Sequence, residues 1–362
     1  MKYMEEFRSK EHVKGLLKAI RTRSKREWII MEMCGGQTHS IAQYRLEELL
    51  PPNIRLVHGP GCPVCVTPET ILNRAIAIAS VPGVIFTSFG DMLRVPGSKG
   101  SLLTAKSRGA DVRIVYSPLD AVEIATANPD REVVFFGIGF ETTAPLHALA
   151  LKECIRRGLT NFSLLTSLVT VPPAIRELMS DPENTVQGVL GAGHVCAITG
   201  YTAYHDLARQ FKLPVSITGF EPADLLWGIY NCVDQLENKD YSVRNAYPRI
   251  VSENGNRGAL QLMEQFFEPV DQEWRGLGVI SQSGLRLRKD YEPYNATLRF
   301  SFEEPVRSEC SVCRAGDIMR GKIQPRDCPE FSKRCTPDHP LGAAMVSAEG
   351  MCSAFYKYAD KL

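Results

Sequence analysis

Two cysteines sit in the turn His58-Gly59-Pro60-Gly61-Cys62-Pro63-Val64-Cys65. A C-x-x-C pair between a strand and a helix is an arrangement for thiol redox exchange or soft-metal binding. The preceding segment 53–57 reads as a buried strand, and Thr67, Pro68 and Glu69 supply a helix cap, a proline at the first helical position and an early acid. Both sulfurs would then face a positive helix end, which lowers a thiol pKa and raises the thiolate fraction. The plainer alternative is a tight turn whose cysteines only pack. Cys34 ends another apolar run, and Ser40-Ile41-Ala42-Gln43 reads as the capping box of the next helix. If the two strands are neighbours, Cys34, Cys62 and Cys65 converge. Thiolates helped by the imidazole of His39 or His58 would suit Fe(II) or Zn, where Mg or Ca would want oxygen. A lone histidine beside a strand is more often satisfied by local hydrogen bonds, and that applies to His39, His58 and His194 alike.

A second group lies in the tail, where Cys310, Cys313, Cys328 and Cys335 are spaced C-x2-C-x14-C-x6-C. Four thiolates suit structural zinc or an iron–sulfur cluster. The asymmetry favours the cluster, because zinc ribbons commonly pair two short C-x2-C knuckles. Cys352, in a helical context, could replace one ligand. Gly137-x-Gly139 followed by Glu141 and Thr142 resembles a dinucleotide turn but lacks its third glycine. Such a helix start could hold a small anionic or polar ligand, with Glu141 as acid or base; a capped helix with a solvated Glu is the ordinary alternative. Cys154, Cys196 and Cys232 read as core residues.

These residues need elements to position them. Residues 8–24 form an amphipathic helix with Val13, Leu16, Leu17 and Ile20 on one face. Apolar runs then recur at 28–33, 54–57, 84–89 and 112–116, and again at 132–138, 162–169, 186–190 and 215–218, with helical stretches between. Strands alternating with helices predict parallel sheets covered on both faces. Two sets of four predict two similar parallel-sheet α/β domains facing a cleft, at 26–130 and 131–239. Residues 1–25 would be a helix packing on a third domain, a smaller α+β iron–sulfur unit at 240–362, where the rhythm stops. In open α/β sheets ligands bind beyond the carboxyl ends of the strands. The residues there are 34–39, 58–65, 88–91, 137–143, 170–173, 191–194 and 219–222, rich in Gly and polar side chains.

Composition narrows the function. With 362 residues, 42 basic against 41 acidic side chains and a formal charge of +1, the chain lacks the basic footprint of a nucleic-acid binder. The N-terminus lacks the layout of a signal peptide and no run reaches the length of a membrane span, so the cytoplasm is expected. Eleven cysteines in a reducing compartment point to metal or catalytic use over a disulfide framework.

Together, Cys34-Gly-Gly-Gln-Thr-His39, the string from His58 to Cys65, Gly139-Phe-Glu-Thr-Thr143, Gly193-His194-Val195 and the four-cysteine tail closely resemble the HypD family of hydrogenase maturation factors over nearly the whole chain. One departure is Gln37, where family members often carry His. The resemblance implies a scaffold more than a turnover enzyme, on which the Fe(CN)2CO group of [NiFe] hydrogenases is built. It implies HypC as the partner with which iron is held, HypE as the source of cyanide, and delivery to the hydrogenase large subunit; alone, the chain would be a monomer. It further implies Cys34 as an iron ligand, Cys62 and Cys65 as a redox pair that also binds iron, and a [4Fe-4S] cluster on Cys310, Cys313, Cys328 and Cys335. In the mechanism this suggests, the cluster feeds electrons to the thiol pair, and His194, Glu141 and Thr142 position or protonate the cyanide source. The alternative is an iron–sulfur-dependent thiol-disulfide reductase acting on a protein partner.

Overall fold

The structure is a computed structural model describing residues 6–302 and 312–359. Every apolar run picked out above forms a strand: β1 (Trp28–Glu32), β2 (Ile54–His58), β3 (Val84–Ser88), β4 (Asp111–Ile114), β5 (Glu132–Gly139), β6 (Phe162–Val169), β7 (Gly188–Ala192) and β8 (Val215–Thr218). Three more follow: β9 (Val243–Asn245), β10 (Phe267–Trp274) and β11 (Gly278–Leu287). Five strands make a parallel sheet in the order β2-β1-β7-β8-β9. The other six make a mixed sheet, β10-β11-β6-β5-β3-β4, in which β3 to β6 are parallel and β10 and β11 form an antiparallel hairpin against β6.

The α/β class is as expected, but the sheets do not follow the division at residues 130 and 239. The chain passes from the parallel sheet to the mixed one after β2, returns after β6, and leaves again after β9. Periodicity marks a strand covered on both faces without naming its neighbours, so β1 and β2 were grouped with β3 and β4. β2 does pair with β1, but the neighbour on the other side of β1 is β7, with Ile30 opposite Gly188. Residues 243–287 likewise belong to the two sheets and not to a separate C-terminal unit. Within 312–359 the described backbone is helical turns with one isolated bridge, Phe331 to Cys335.

The N-terminal helix is also placed differently from expectation. Lys10–Arg23 packs on helix Pro222–Asn238 behind the parallel sheet, where Val13, Leu16, Leu17 and Ile20 meet Leu225, Leu226, Ile229 and Val233. Acidic residues on the longer helix select this seat: Glu221 pairs with Arg8 and Asp234 with Arg23.

β1 alternates as a central strand should. Trp28 and Ile30 face this helix layer, while Met31 and Met33 face a larger apolar cluster that runs on through Val57, Phe136, Ile138 and Phe140. That cluster joins the two sheets and contains Cys34, Cys62 and Cys65. The tail is fastened over the same edge: Gln324 donates to the Leu56 carbonyl (2.7 Å), and Phe355 packs edge-on against His58 (4.9 Å).

Candidate functional site

β1 has β2 on one side and β7 on the other, so its carboxyl end is a topological switch point, where open α/β sheets take their ligands. Cys34 stands there, buried, as the N-cap of helix Gly35–Gln43. The cysteine turn follows β2 and His194 follows β7, so both flank it. The Gly35 N–H donates to the Gly61 carbonyl at 2.9 Å, and a Cβ on Gly61 would lie 2.4 Å from the Cys34 backbone. Only glycine permits that approach, which brings the Cys34 loop against the residue preceding Cys62.

Cys34 Sγ lies 3.2 Å from His194 Nε2. Burial pushes the Cys34 thiol far above its ordinary range and pulls His194 down to about 4, so a neutral thiol faces a neutral imidazole. Cys62 and Cys65 are joined by a disulfide, with Cα atoms 5.2 Å apart. Cys62 caps a short helical turn, Pro63–Val66, and its Sγ accepts the Cys65 N–H at 3.2 Å. The longer helix begins at Glu69 with Pro68 as N-cap, one residue later than expected.

The residue that sequence reading missed is Glu32. It is fully buried; one carboxyl oxygen accepts the Cys34 N–H at 2.8 Å, and the other takes Thr38 Oγ1 and His58 Nδ1, the latter at 2.8 Å. It thereby ties the Cys34 loop to the start of the cysteine turn. The signal was a charged residue inside an otherwise apolar strand, which requires a buried partner. For His58, burial acts to lower the pKa, but bonding to Glu32 and Glu47 outweighs it and raises the value to about 9. A raised folded-state pKa contributes stability that is complete below the unfolded value near 6.5 and is lost as pH rises through about 9. Chemical denaturation at pH 6 and pH 9.5 is expected to differ by on the order of 3 kcal/mol more in the wild type than in His58→Gln. Equal losses in the two proteins would remove this role for the pair.

Gln37 is consumed by structure. Its side chain accepts from Met33 N–H (3.2 Å) and donates to the Gly191 carbonyl (3.1 Å) and Thr218 Oγ1 (2.7 Å), bracing β1, β7 and β8. His39 is satisfied by the Ala348 carbonyl and Tyr358 Oη. Glu141 lies in a second layer: Oε1 accepts the Val171 N–H (2.8 Å), Oε2 is buried without a partner, and burial raises the group to about 7. Its electrostatic neighbours are Cys196 and Tyr204. Among the described residues no hydrogen bond joins Glu141 or Thr142 to Cys34 or His194. The glycines before it have packing reasons, since a Cβ on Gly137 would strike His147 and one on Gly139 would strike Thr143.

Of the tail cysteines, Cys310 lies outside the described residues. Burial raises the thiols of Cys313 and Cys335; Cys335 and Cys328 act further on Cys313, and Cys328 on Cys335, while Cys352 is raised by burial and by all three. Cys352 therefore belongs with this group. Leu341 N–H points at Cys335 Sγ (3.4 Å), and Gly342 has no room for a Cβ beside Cys313 Sγ. Among the described residues, which do not include Cys310, no three His, Cys, Asp or Glu side chains are gathered as placed into a metal-holding set. Cys154 and Cys232 are core residues, as expected. No helix among the described residues is long and apolar enough to cross a membrane.

The family model for HypD, described as "Hydrogenase formation hypA family", matches residues 11–359. The chain is 45% identical to hydrogenase maturation factor HypD of Rhodobacter capsulatus over 99% of its own length and 98% of that protein's. Against HypD of Escherichia coli (strain K12) the figures are 43%, 99% and 98%, and against HypD of Azotobacter vinelandii 45%, 99% and 97%. An arrangement of sulfur-bearing loops around one switch point thus coincides with full-length similarity, and the chain belongs to the HypD family of hydrogenase maturation factors.

Proposed function

We propose that this chain is the scaffold on which the Fe(CN)2CO group of [NiFe] hydrogenases is assembled, holding iron as its substrate at Cys34 beside the Cys62/Cys65 pair. The observation that carries the reading is the meeting, at one switch point, of Cys34 in contact with His194 and the cysteine turn braced against the Cys34 loop. Cys34 must lose its proton to bind Fe(II). The His194 ring, 3.2 Å away and pulled by burial to about 4, meets the thiol as a neutral hydrogen-bond partner, and the proton leaves as the sulfur takes the metal. Glu141, with its carboxyl raised to about 7, can hold a proton near neutrality one layer behind. HypC would complete the iron site, HypE would supply cyanide, and the finished group would pass to the hydrogenase large subunit.

Cys313, Cys328 and Cys335, with Cys310 or Cys352 as the fourth sulfur, would hold a [4Fe-4S] cluster. An all-cysteine donor set suits that group, and the electrostatic influence among these thiols supports their being neighbours. Bound there, the cluster supplies one-electron chemistry. Cys335→Ala is expected to lose most acid-labile sulfide and visible absorbance while keeping the Cys62–Cys65 disulfide; full sulfide content would exclude this ligand set.

The complex with HypC, purified without oxygen, is expected to show nitrile and carbonyl infrared bands. A complex that exchanges disulfides with a protein partner but never carries those bands would favour the reductase reading instead.

A further inference from the structure

Functional imidazoles are ordinarily fixed by a hydrogen bond at the nitrogen turned away from the chemistry. His194 is held differently. Its Nε2 meets Cys34 Sγ at 3.2 Å, and among the described residues the ring makes no other hydrogen bond. Packing takes that place: the Phe220 ring lies with its centroid 5.2 Å from the imidazole, at an interplanar angle of 45°. Phe220 borders the sulfur as well. A Cβ on Gly36 would stand 3.2 and 3.3 Å from two carbons of the Phe220 ring and 3.6 Å from Cys34 Sγ, so ring and thiol flank one point at the first turn of helix Gly35–Gln43. Cys34 is 1% exposed, whereas Phe220 is half-buried in the loop between β8 and helix Pro222–Asn238. A half-exposed ring beside an enclosed sulfur is part of the wall between that sulfur and water.

The loop that carries the ring is held from behind. Gly219 has no room for a Cβ, which would strike Asp224 Oδ2 and the Tyr247 ring. Asp224, itself buried, accepts the Glu221 N–H at 3.3 Å and takes Arg249 Nη1 and Nη2 at 2.8 and 2.6 Å. Tyr247 meets Phe220 edge-on at 6.3 Å, and the Arg249 guanidinium lies 4.4 Å from the Tyr247 ring centre and 3.8 Å from that of Phe7. A continuous stack thus runs from Phe7 in the N-terminal turn through Arg249, Tyr247 and Phe220 to His194.

We propose that Phe220 is a positioning residue for the iron step: its ring seats the His194 imidazole against Cys34 and shuts the sulfur from water, and the stack behind it anchors that ring to the N-terminal turn. The inference rests on reading Cys34 as the sulfur that takes iron. A flat apolar ring suits both tasks. It fixes the imidazole without engaging either nitrogen, and it brings no donor or acceptor to compete for the metal or its diatomic ligands.

The experiment follows labelling of Cys34 by methyl methanethiosulfonate in the iron-free full-length chain, with the Cys62–Cys65 disulfide intact, and reads each cysteine by peptide mass. Phe220→Ala is expected to label Cys34 roughly tenfold faster than the wild type, the worth of one aromatic pair. Phe220→Tyr keeps the ring and should stay near the wild-type rate. Phe7→Ala, at the far end of the stack, should give a rise of about threefold, the worth of an exposed cation–π contact. Cys154 and Cys232, buried elsewhere in the core, report general loosening. A wild-type rate in Phe220→Ala, or a rise shared by Cys154 and Cys232, would overturn the assignment, and so would a Phe220→Tyr variant that labels as fast as Phe220→Ala. In the iron-loaded complex described above, Phe220→Ala should give weaker and broader nitrile bands, because water then reaches the cyanide nitrogens. Bands as strong and sharp as those of the wild type would remove the ring from the iron step. A wild-type complex that lacks the bands altogether would sink the scaffold reading instead, while the labelling rates still decide where Phe220 sits.

Discussion

Cells whose only member of this family is the Cys34→Ala variant are expected to make no active [NiFe] hydrogenase, a loss larger than the hundredfold or so that follows removal of groups merely supporting a metal ligand. The protein itself should survive. Cys34 contributes one small buried side chain to a large apolar cluster, and the contacts that fix its loop are made by its backbone N–H, by Gly35 and by Thr38, all untouched by the change. The purified variant should therefore fold, keep the Cys62–Cys65 disulfide, and fail only to carry iron with infrared-active ligands. Hydrogenase activity within about twofold of the wild type would remove Cys34 from the role of iron ligand. His194→Gln makes the useful comparison, because an amide can still hydrogen-bond the thiol in place of the ring; partial maturation is expected there.

The second large effect is on stability. Glu32→Ala leaves His58, buried and held protonated at neutral pH, without its main partner, and strands the Cys34 N–H as well. Breaking a buried pair from one side costs about 3–5 kcal/mol, a large share of the stability of an ordinary domain. Urea denaturation should show that loss, and the amide of Cys34 should exchange with solvent much faster. Because the cost comes from the orphaned partner, Glu32→Ala with His58→Ala should be less destabilised than the sum of the two single variants. Simple additivity would mean that the two side chains do not act as a unit.

Much of this site could be read before any coordinates. The strands were legible because each is covered on both faces and so reads as an uninterrupted apolar run, and the carboxyl-end rule then led to Cys34, the cysteine turn and His194. Sheet membership was not legible, since the apolarity of β3 is the same whether β2 or β5 lies beside it. β10 and β11 are not legible because polar residues interrupt them: Glu268, Asp271, Gln272 and Glu273 in one and Ser281, Gln282 and Arg286 in the other leave no apolar run. Glu32 is hard to read from sequence because a charge beside methionines does not name its partner. That partner lies in the next strand, where Glu32 sits in register with His58. Spacing says little about Cys352 for a related reason: the cysteine pattern stops at Cys335, and it is the path of the last helix over helix Gly35–Gln43 that returns the chain to the same sulfurs.

The passage of the backbone back and forth between the sheets bears on how this protein is made. β1 leaves the ribosome long before β7, the neighbour that closes its second side, and the mixed sheet waits still longer for the hairpin ending at Leu287. The parallel sheet therefore cannot close until β9 has emerged, nor the mixed one until β11 has, and the nascent chain carries raw strand edges for most of its synthesis. A fold threaded this way leaves those edges open to wrong partners while it is being made, and its yield rests on keeping them covered until the late strands arrive.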